Sequence, residues 1–347
     1  MDNNFNNYKK RFVKKATLNG FSADNISKCL DYSEPIINNG VPVIYNTSHL
    51  SALVGYNKNY LKRAVFYTRY FYRYFKIEKD NGKKRTISEP LPNLKDIQNW
   101  ILNEILYKIK ISRYAKAYVP NRSIKDHVRY HTNEKYVLTL DIENFFGSIN
   151  FYLTEDIFKN LGYSNLISNL LTKLCYLNGS LPQGAPTSPA ISNIIMYEFD
   201  VAMSVYCREQ ELKYTRYADD LAFSGDFNQE SVIEKVQMEL KKIGLILNVD
   251  KTRFMPQSQP QIICGIVVNK KIQVPKYKRN QIRQEMYYIK KFDLKSHMER
   301  TKQKKDNYLK HLIGSINYIL IMNPKDNEFI EYRKHLYSLE KPVGNNG

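Results

Sequence analysis

Apolar positions along this chain recur with a period of about 3.6 in some segments and of about two in others, which divides it into helices and strands. Residues 8 to 31, opening Tyr8-Lys9-Lys10-Arg11-Phe12-Val13-Lys14-Lys15, read as basic and helical. From Phe66 to Ile77 aromatics alternate with Arg73 and Lys76 as in a strand, and Asp80-Asn81-Gly82 marks a hairpin turn. Lys84 to Ser88 returns as the second strand, and Leu94, Ile97, Ile101, Ile105 and Ile109 give residues 93 to 109 helical spacing. Tyr136 to Leu140 is apolar and β-branched up to Asp141, the pattern of a buried strand that ends on a carboxylate. Two short helices, 153 to 161 and 165 to 177, follow. Ser188-Pro189 then offers a hydroxyl cap and a first-turn proline for a helix through Arg208.

Further on, strands at 212 to 217 and 221 to 224 join tightly through Ala218-Asp219-Asp220. A helix (230 to 243), a strand (245 to 249) and a hairpin from Ile262 to Val274 turning near Asn269-Lys270 come next. From Pro275 the chain reads as helical, basic and Tyr-rich, with a bend at Gly314, which predicts a separate C-terminal domain. The Asn-rich ends, Asn3 to Asn7 and Asn345-Asn346, are expected to fray.

The chain has 347 residues, 43% of them apolar, enough for a real core in two or three substructures. Lys and Arg number 53 against 34 Asp and Glu, a net charge of +19 that favours a polyanionic partner, nucleic acid ahead of an anionic membrane surface. Cys29, Cys175, Cys207 and Cys264 are widely spaced, so no zinc cage or disulfide framework is readable, and a reducing cytoplasm fits. The N-terminus lacks an apolar signal core and no stretch approaches the roughly 20 apolar residues of a membrane helix, so neither secretion nor a membrane partner is expected.

Asp141 at a strand end and the pair Asp219-Asp220 in a tight turn are the residues most suited to chemistry. Adjacent carboxylates repel, and a divalent cation relieves them. Two ions about 3.5–4 Å apart serve in-line phosphoryl displacement. An isolated Asp-Asp pair is more readily read as a solvated turn. His127 and His131 have the i, i+4 spacing of a zinc pair, but no Glu follows His127 and no third ligand is evident, so surface or RNA-contacting histidines are the simpler reading.

Three strings occur in order: Asp141-Ile142-Glu143-Asn144-Phe145-Phe146, Leu181-Pro182-Gln183-Gly184-Ala185-Pro186-Thr187-Ser188-Pro189 and Tyr217-Ala218-Asp219-Asp220. In this order and spacing they resemble three successive palm motifs of a reverse transcriptase, and more narrowly the bacterial retron-type enzymes. The resemblance runs from about Tyr72 to about Val274. Retron enzymes commonly carry Asn-Ala-x-x-His before the first palm strand; here the stretch is His127-Val128-Arg129-Tyr130-His131, which keeps the final histidine alone.

The resemblance implies that Asp141, Asp219 and Asp220 are catalytic and that they, with the Ile142 carbonyl, hold two Mg²⁺ ions, with Mn²⁺ as a substitute. It implies a sugar gate at Phe146, Phe145 and Phe146 being otherwise core aromatics. Gln183 lies along the incoming nucleotide and template, or else its loop is only a helix cap. Arg85, with Lys83 and Lys84, grips the triphosphate, or the hairpin is merely a solvated basic surface. Lys251 protonates departing pyrophosphate. The hairpin at Cys264 and Gly265 resembles a primer grip, where an ordinary edge hairpin would look alike, and Tyr217 and His131 are further nucleic-acid contacts. The basic, Tyr-rich C-terminal part (Lys278, Arg279, Arg283 and Tyr287 foremost, with Lys302, Lys304 and Lys305) suits a thumb riding on a duplex.

The fold so implied is α+β, a right-hand polymerase with fingers, an RRM-like palm and a helical thumb. Its expected divisions are 1–50 as a basic helical extension, 51–137 as fingers, 138–274 as palm with a finger-like helical insertion at about 150–180, and 275–347 as thumb. The implied activity is retron-type RNA-directed DNA synthesis from dNTPs. A structured non-coding RNA serves as template and, through a 2′-OH, as primer, the DNA product stays joined to it, and an effector protein is the partner in anti-phage defence. An intron-type or other defence-associated reverse transcriptase, an RNA-dependent RNA polymerase and a non-catalytic RNA-binding scaffold stay open as alternatives.

Overall fold

A computed structural model describes residues 3–78, 82, 84–301 and 307–340. Asp80, Asn81, Lys83, Lys302, Lys304, Lys305, Asn345 and Asn346, singled out above, lie outside the described residues. The chain opens with four helices, α1 (Asn3–Leu18), α2 (Ala23–Asn38), α3 (Thr47–Val54) and α4 (Lys58–Phe66). Strands β1 (Tyr72–Glu78) and β2 (Lys84–Pro90) then pair antiparallel, Tyr72 opposite Pro90 and Glu78 opposite Lys84. The strand read from Phe66 is therefore shorter than its aromatic alternation suggested. Leu61 and Ala64 are fully buried at helical spacing and draw α4 through Phe66, and a 3-10 turn covers Thr68–Phe71.

After α5 (Pro92–Glu104) and the one-turn α6 (Ile124–Val128) comes β3 (Tyr136–Asp141). Helices α7 (Phe145–Ser148), α8 (Phe151–Asn160), α9 (Asn165–Cys175), α10 (Ser188–Ile195) and α11 (Tyr197–Glu209) lead to β4 (Lys213–Tyr217) and β5 (Asp220–Gly225). Helix α12 (Gln229–Lys242) and β6 (Arg253–Pro256) complete a four-stranded sheet in the order β4-β5-β3-β6, antiparallel throughout. This is a β-α-β-β-α-β arrangement with the carboxylate-bearing β3 and β5 side by side at its centre.

Successive residues of β3 and β5 feed two cores, as the two-residue period requires. Leu138, Leu140, Leu221 and Phe223 join the larger core with α5 and α8–α12. Val137 and Ala222 face the other way, into a second core. That core includes the short strands β7 (Ile262–Ile263) and β8 (Ile266–Val267) and the C-terminal helices α13 (Lys276–Phe292), α14 (Leu294–Arg300), α15 (Tyr308–Met322) and α16 (Asn327–Glu340). Both faces of the sheet are covered, which is why Tyr136 to Leu140 reads as a nearly continuous apolar run.

Several local expectations need correction. The helix from Ser188 breaks at Met196, and Ser188 does not cap it: its hydroxyl donates to the Pro182 carbonyl at 2.9 Å, folding the preceding loop back on itself. Residues 245–249 form no strand; Leu247 makes a single bridge to Ile142, and β6, whose alternation is hidden by Pro256, lies just beyond. Two turns replace the one near Asn269: Cys264 and Gly265, at φ +46° and +76°, close β7 on β8, and a bridge from Val267 to Gln273 closes the second. Gly314 sits inside a continuous α15. No helix among the described residues is long and apolar enough to cross a membrane.

Candidate active site

Asp141, the last residue of β3, lies directly opposite Asp220, the first of β5. Cross-strand partners project to the same face, so both carboxylates stand at one corner of the sheet. Tyr217 pairs with Asp220, which leaves Ala218 and Asp219 as a two-residue turn. Such turns demand positive φ, usually met by Asn or Gly. Here Ala218 takes φ +59°. Its strained backbone is held from behind: Arg216, fully buried, donates through NH1 to the Ala218 carbonyl at 3.1 Å and to Asn193 Oδ1 at 3.0 Å. The same guanidinium forks onto Asp200, Nε to Oδ1 at 2.9 Å and NH2 to Oδ2 at 2.7 Å.

Ile142 ties the corner together. Its N–H donates to the Asp219 carbonyl at 3.1 Å, while Leu247, its bridge partner, lies on its other side. The Ile142 carbonyl therefore points toward the Asp219 turn, and none of the described residues donates to it. Burial raises the pKa of Asp219, and the Asp141 charge adds to it. Asp220 is pushed up to about 6 by burial and by the charge of Asp219. Lys251 places its ammonium 2.8 Å from both oxygens of Asp141, and the Cys264 thiol lies 3.4 Å from Asp220 Oδ2. Among the described residues no three His, Cys, Asp or Glu side chains stand gathered as around an ion. Asp141 is turned onto Lys251 and Asp220 onto Cys264. The donor set nonetheless fits divalent cations: three carboxylates, two of them under-neutralised, and an undonated carbonyl, with the Lys251 ammonium already standing as a cation beside Asp141.

In front of this corner opens a cavity of about 730 Å³, lined by Arg85, Phe146, Gln183, Asp141, Asp219 and Lys251 among others. Phe145 is buried in the larger core, whereas Phe146 is half-buried at the cavity wall. Gln183 presents a side-chain oxygen that is buried without a partner, and its carbonyl accepts from the Ser88 N–H at 2.8 Å. That bond ties the Pro/Gly loop to β2 and so brings Arg85 to the cavity. Lys84, on the opposite face of β2, does not line it. Gly184 has φ +128°, and a Cβ there would stand 2.8 Å from the Ser88 carbonyl. Gly184→Ala is therefore expected to push the loop off β2 and to cost about 1–3 kcal/mol of stability, measured by urea unfolding.

Two groups of expected nucleic-acid contacts are engaged within the protein itself. His131 is fully buried: Nε2 meets Thr215 Oγ1 at 2.7 Å and Nδ1 meets Ser224 Oγ at 2.8 Å. It braces β4 against β5 and cannot reach a ligand. His127 shares Thr215, and burial pushes it down to about 3; its ring packs on Tyr217, which does not line the cavity. In α13 the helical period sets Arg279 beside Ile282, Met286 and Ile289 on the inner face. Arg279, with its side chain 8% exposed, pairs with Asp326 at 2.6 Å, and Arg283 forks onto Glu328 at 2.7 Å. Both arginines tie the C-terminal helices together, Arg279 from the interior and Arg283 from a partly exposed position. Lys278 and Tyr287 are exposed. Sequence reading missed Arg216, Asn193 and Tyr118, the last a cavity-lining residue at φ +60°.

A central antiparallel sheet with carboxylates on adjoining strand ends, between a basic hairpin and a helical C-terminal layer, defines a right-hand nucleotidyl-transferring polymerase. Residues 77–299 match the reverse transcriptase (RNA-dependent DNA polymerase) family. The Ec86 retron reverse transcriptase of Escherichia coli is 31% identical over 89% of this chain and 94% of its own length. The Mx65 retron reverse transcriptase of Myxococcus xanthus is 27% identical over 85% and 72%. Among solved structures, telomerase from Candida albicans with a fragment of telomeric RNA superposes on 78% of this chain and 63% of its own, at 11% identity and a TM-score of 0.46. This chain belongs to the reverse transcriptase family, within its retron type, and is an RNA-directed DNA polymerase.

Proposed function

We propose that the protein copies a dedicated structured RNA into single-stranded DNA, starting from a 2′-OH of that RNA so that a branched RNA–DNA molecule results. The observation that carries this reading is the meeting of Asp141 and Asp219-Asp220 on paired strands beside a cavity that also holds Arg85, Phe146 and Gln183. Asp141, Asp219, Asp220 and the Ile142 carbonyl would hold two Mg²⁺ ions, which Mn²⁺ can replace. Bound there, such ions supply charge for activating the primer hydroxyl and for the departing pyrophosphate. Arg85 offers a planar fork to the triphosphate of a dNTP. Phe146 sets its ring where a ribose 2′-OH would project. Lys251 lines the same cavity and is placed to act as the acid toward pyrophosphate once released from Asp141.

The working division is an N-terminal extension (1–50), fingers (51–137), palm (138–274) and thumb (275–347). Retron membership supports a setting in anti-phage defence beside an effector protein. Sequencing the nucleic acid that co-purifies with the protein, with RNase and DNase controls, tests the reading. A branched RNA–DNA species is expected, and bulk cellular RNA alone would refute it.

The carboxylates add a pH signature. Asp219 and Asp220 titrate above the ordinary 3.8, Asp220 at about 6. In ion-free protein this contributes stability that is present below pH 3.8 and lost as pH rises through about 6. The thermal midpoint should fall on the order of a few degrees over that window, and added Mg²⁺ should reverse the fall chiefly above it. Differential scanning calorimetry with and without Mg²⁺ measures both.

A further inference from the structure

Tyr118 is half exposed, its backbone sits at φ +60°, and its ring forms part of the cavity wall. A bulky aromatic in the left-handed region is an outlier that persists only where its surroundings over-determine it. They do so here. Asn193 donates to the carbonyl of the preceding Ala117 at 2.9 Å, and Asn193 in turn accepts from Arg216 at 3.0 Å. The Lys116 N–H donates to the Arg216 carbonyl at 2.8 Å. One buried guanidinium and one buried amide thus fix both the Ala218-Asp219 turn and the segment that presents Tyr118. The presented ring leans on Phe146, centroids 6.2 Å apart and planes tilted by 48°. Phe145 also meets Phe146, centroids 5.5 Å apart, so Phe146 touches both a buried ring and the Tyr118 ring.

We propose that Tyr118 is a positioning residue for sugar discrimination: its ring buttresses Phe146 so that the space under the incoming sugar admits a deoxyribose and excludes a 2′-hydroxyl. This rests on the reading of Phe146 as the sugar gate. A gate discriminates only as sharply as it is held, because a ring free to rotate by one rotamer yields the volume of a hydroxyl. Phe145 supports the gate from the core. Tyr118 supports it from a backbone that pays for its unusual conformation, and the flat ring rather than the phenolic hydroxyl makes the contact.

The experiment is single-nucleotide extension with each dNTP against its rNTP, read as the ratio of kcat/KM. Phe146→Ala should lower that ratio strongly. Tyr118→Ala should lower it about tenfold, through a lower KM for the ribonucleotide, and Tyr118→Phe should keep it. Tyr118→Leu, of similar bulk without a flat ring, should behave as the alanine change and serves where that change unfolds the chain. Because Tyr118 acts through Phe146, the double variant Phe146→Ala/Tyr118→Ala should discriminate no worse than Phe146→Ala alone. If Phe146→Ala lowers the ratio while Tyr118→Ala and Tyr118→Leu leave it unchanged, or if the two losses multiply, the buttress is refuted and the gate stands. If Phe146→Ala leaves the ratio unchanged, the gate reading itself falls.

Discussion

Asp219→Asn is expected to abolish DNA synthesis, by on the order of 10³-fold or more, since several kcal/mol of charge stabilisation is lost with one carboxylate. RNA affinity should change little, because the contacts that give it are spread over a protein of net charge +19. The substitution keeps the shape of the side chain and removes a charge that burial and Asp141 both oppose. Near pH 7 the ion-free variant should therefore be more stable than the parent while being inactive, the signature of a site that sacrifices stability for chemistry. Single-turnover extension, filter binding and calorimetry on one preparation check all three. Synthesis within tenfold of the parent would show that the chemistry does not depend on the Asp219 carboxylate.

The second large effect is structural in origin. Arg216→Met strands the Asp200 carboxylate, which is fully buried and also accepts from the Tyr214 hydroxyl at 2.7 Å. Breaking one side of such a pair costs about 3–5 kcal/mol, measurable by urea unfolding. Arg216→Met with Asp200→Leu replaces both charges by apolar bulk and should recover most of that loss. Synthesis should not recover with it, because no donor then holds the Ala218 carbonyl and the strained turn is free to relax. A double variant that regains both stability and full activity would show that the turn does not need the guanidinium.

What was legible in the sequence was local. The apolar run into Asp141, the tight Ala218-Asp219-Asp220 corner and the Pro/Gly loop each carry their signal within a few residues, and their order carried the family. Partners distant along the chain were illegible. Arg216 reads as one more basic residue, yet among the described residues it is the largest of the fully buried side chains and meets Asp200 and Asn193 from two helices. The errors share that cause. Arg279, Arg283 and His131 were read by charge and chemistry, whereas their neighbours across the fold bury Arg279 and His131 and engage Arg283 in an ion pair with Glu328. Tyr118 gave no cue because positive φ at a tyrosine follows from tertiary bonds to Ala117 and Lys116, not from its own preference.

The second core has a mechanical consequence. Val137 and Ala222, on the strands that bear Asp141 and Asp220, pack in the same apolar cluster as Ile282, Met286, Ile316 and Phe329. A C-terminal lobe welded in this way to the underside of the catalytic strands cannot hinge outward without exposing that cluster to water. The C-terminal helices are therefore expected to stay docked on the catalytic strands from one nucleotide addition to the next.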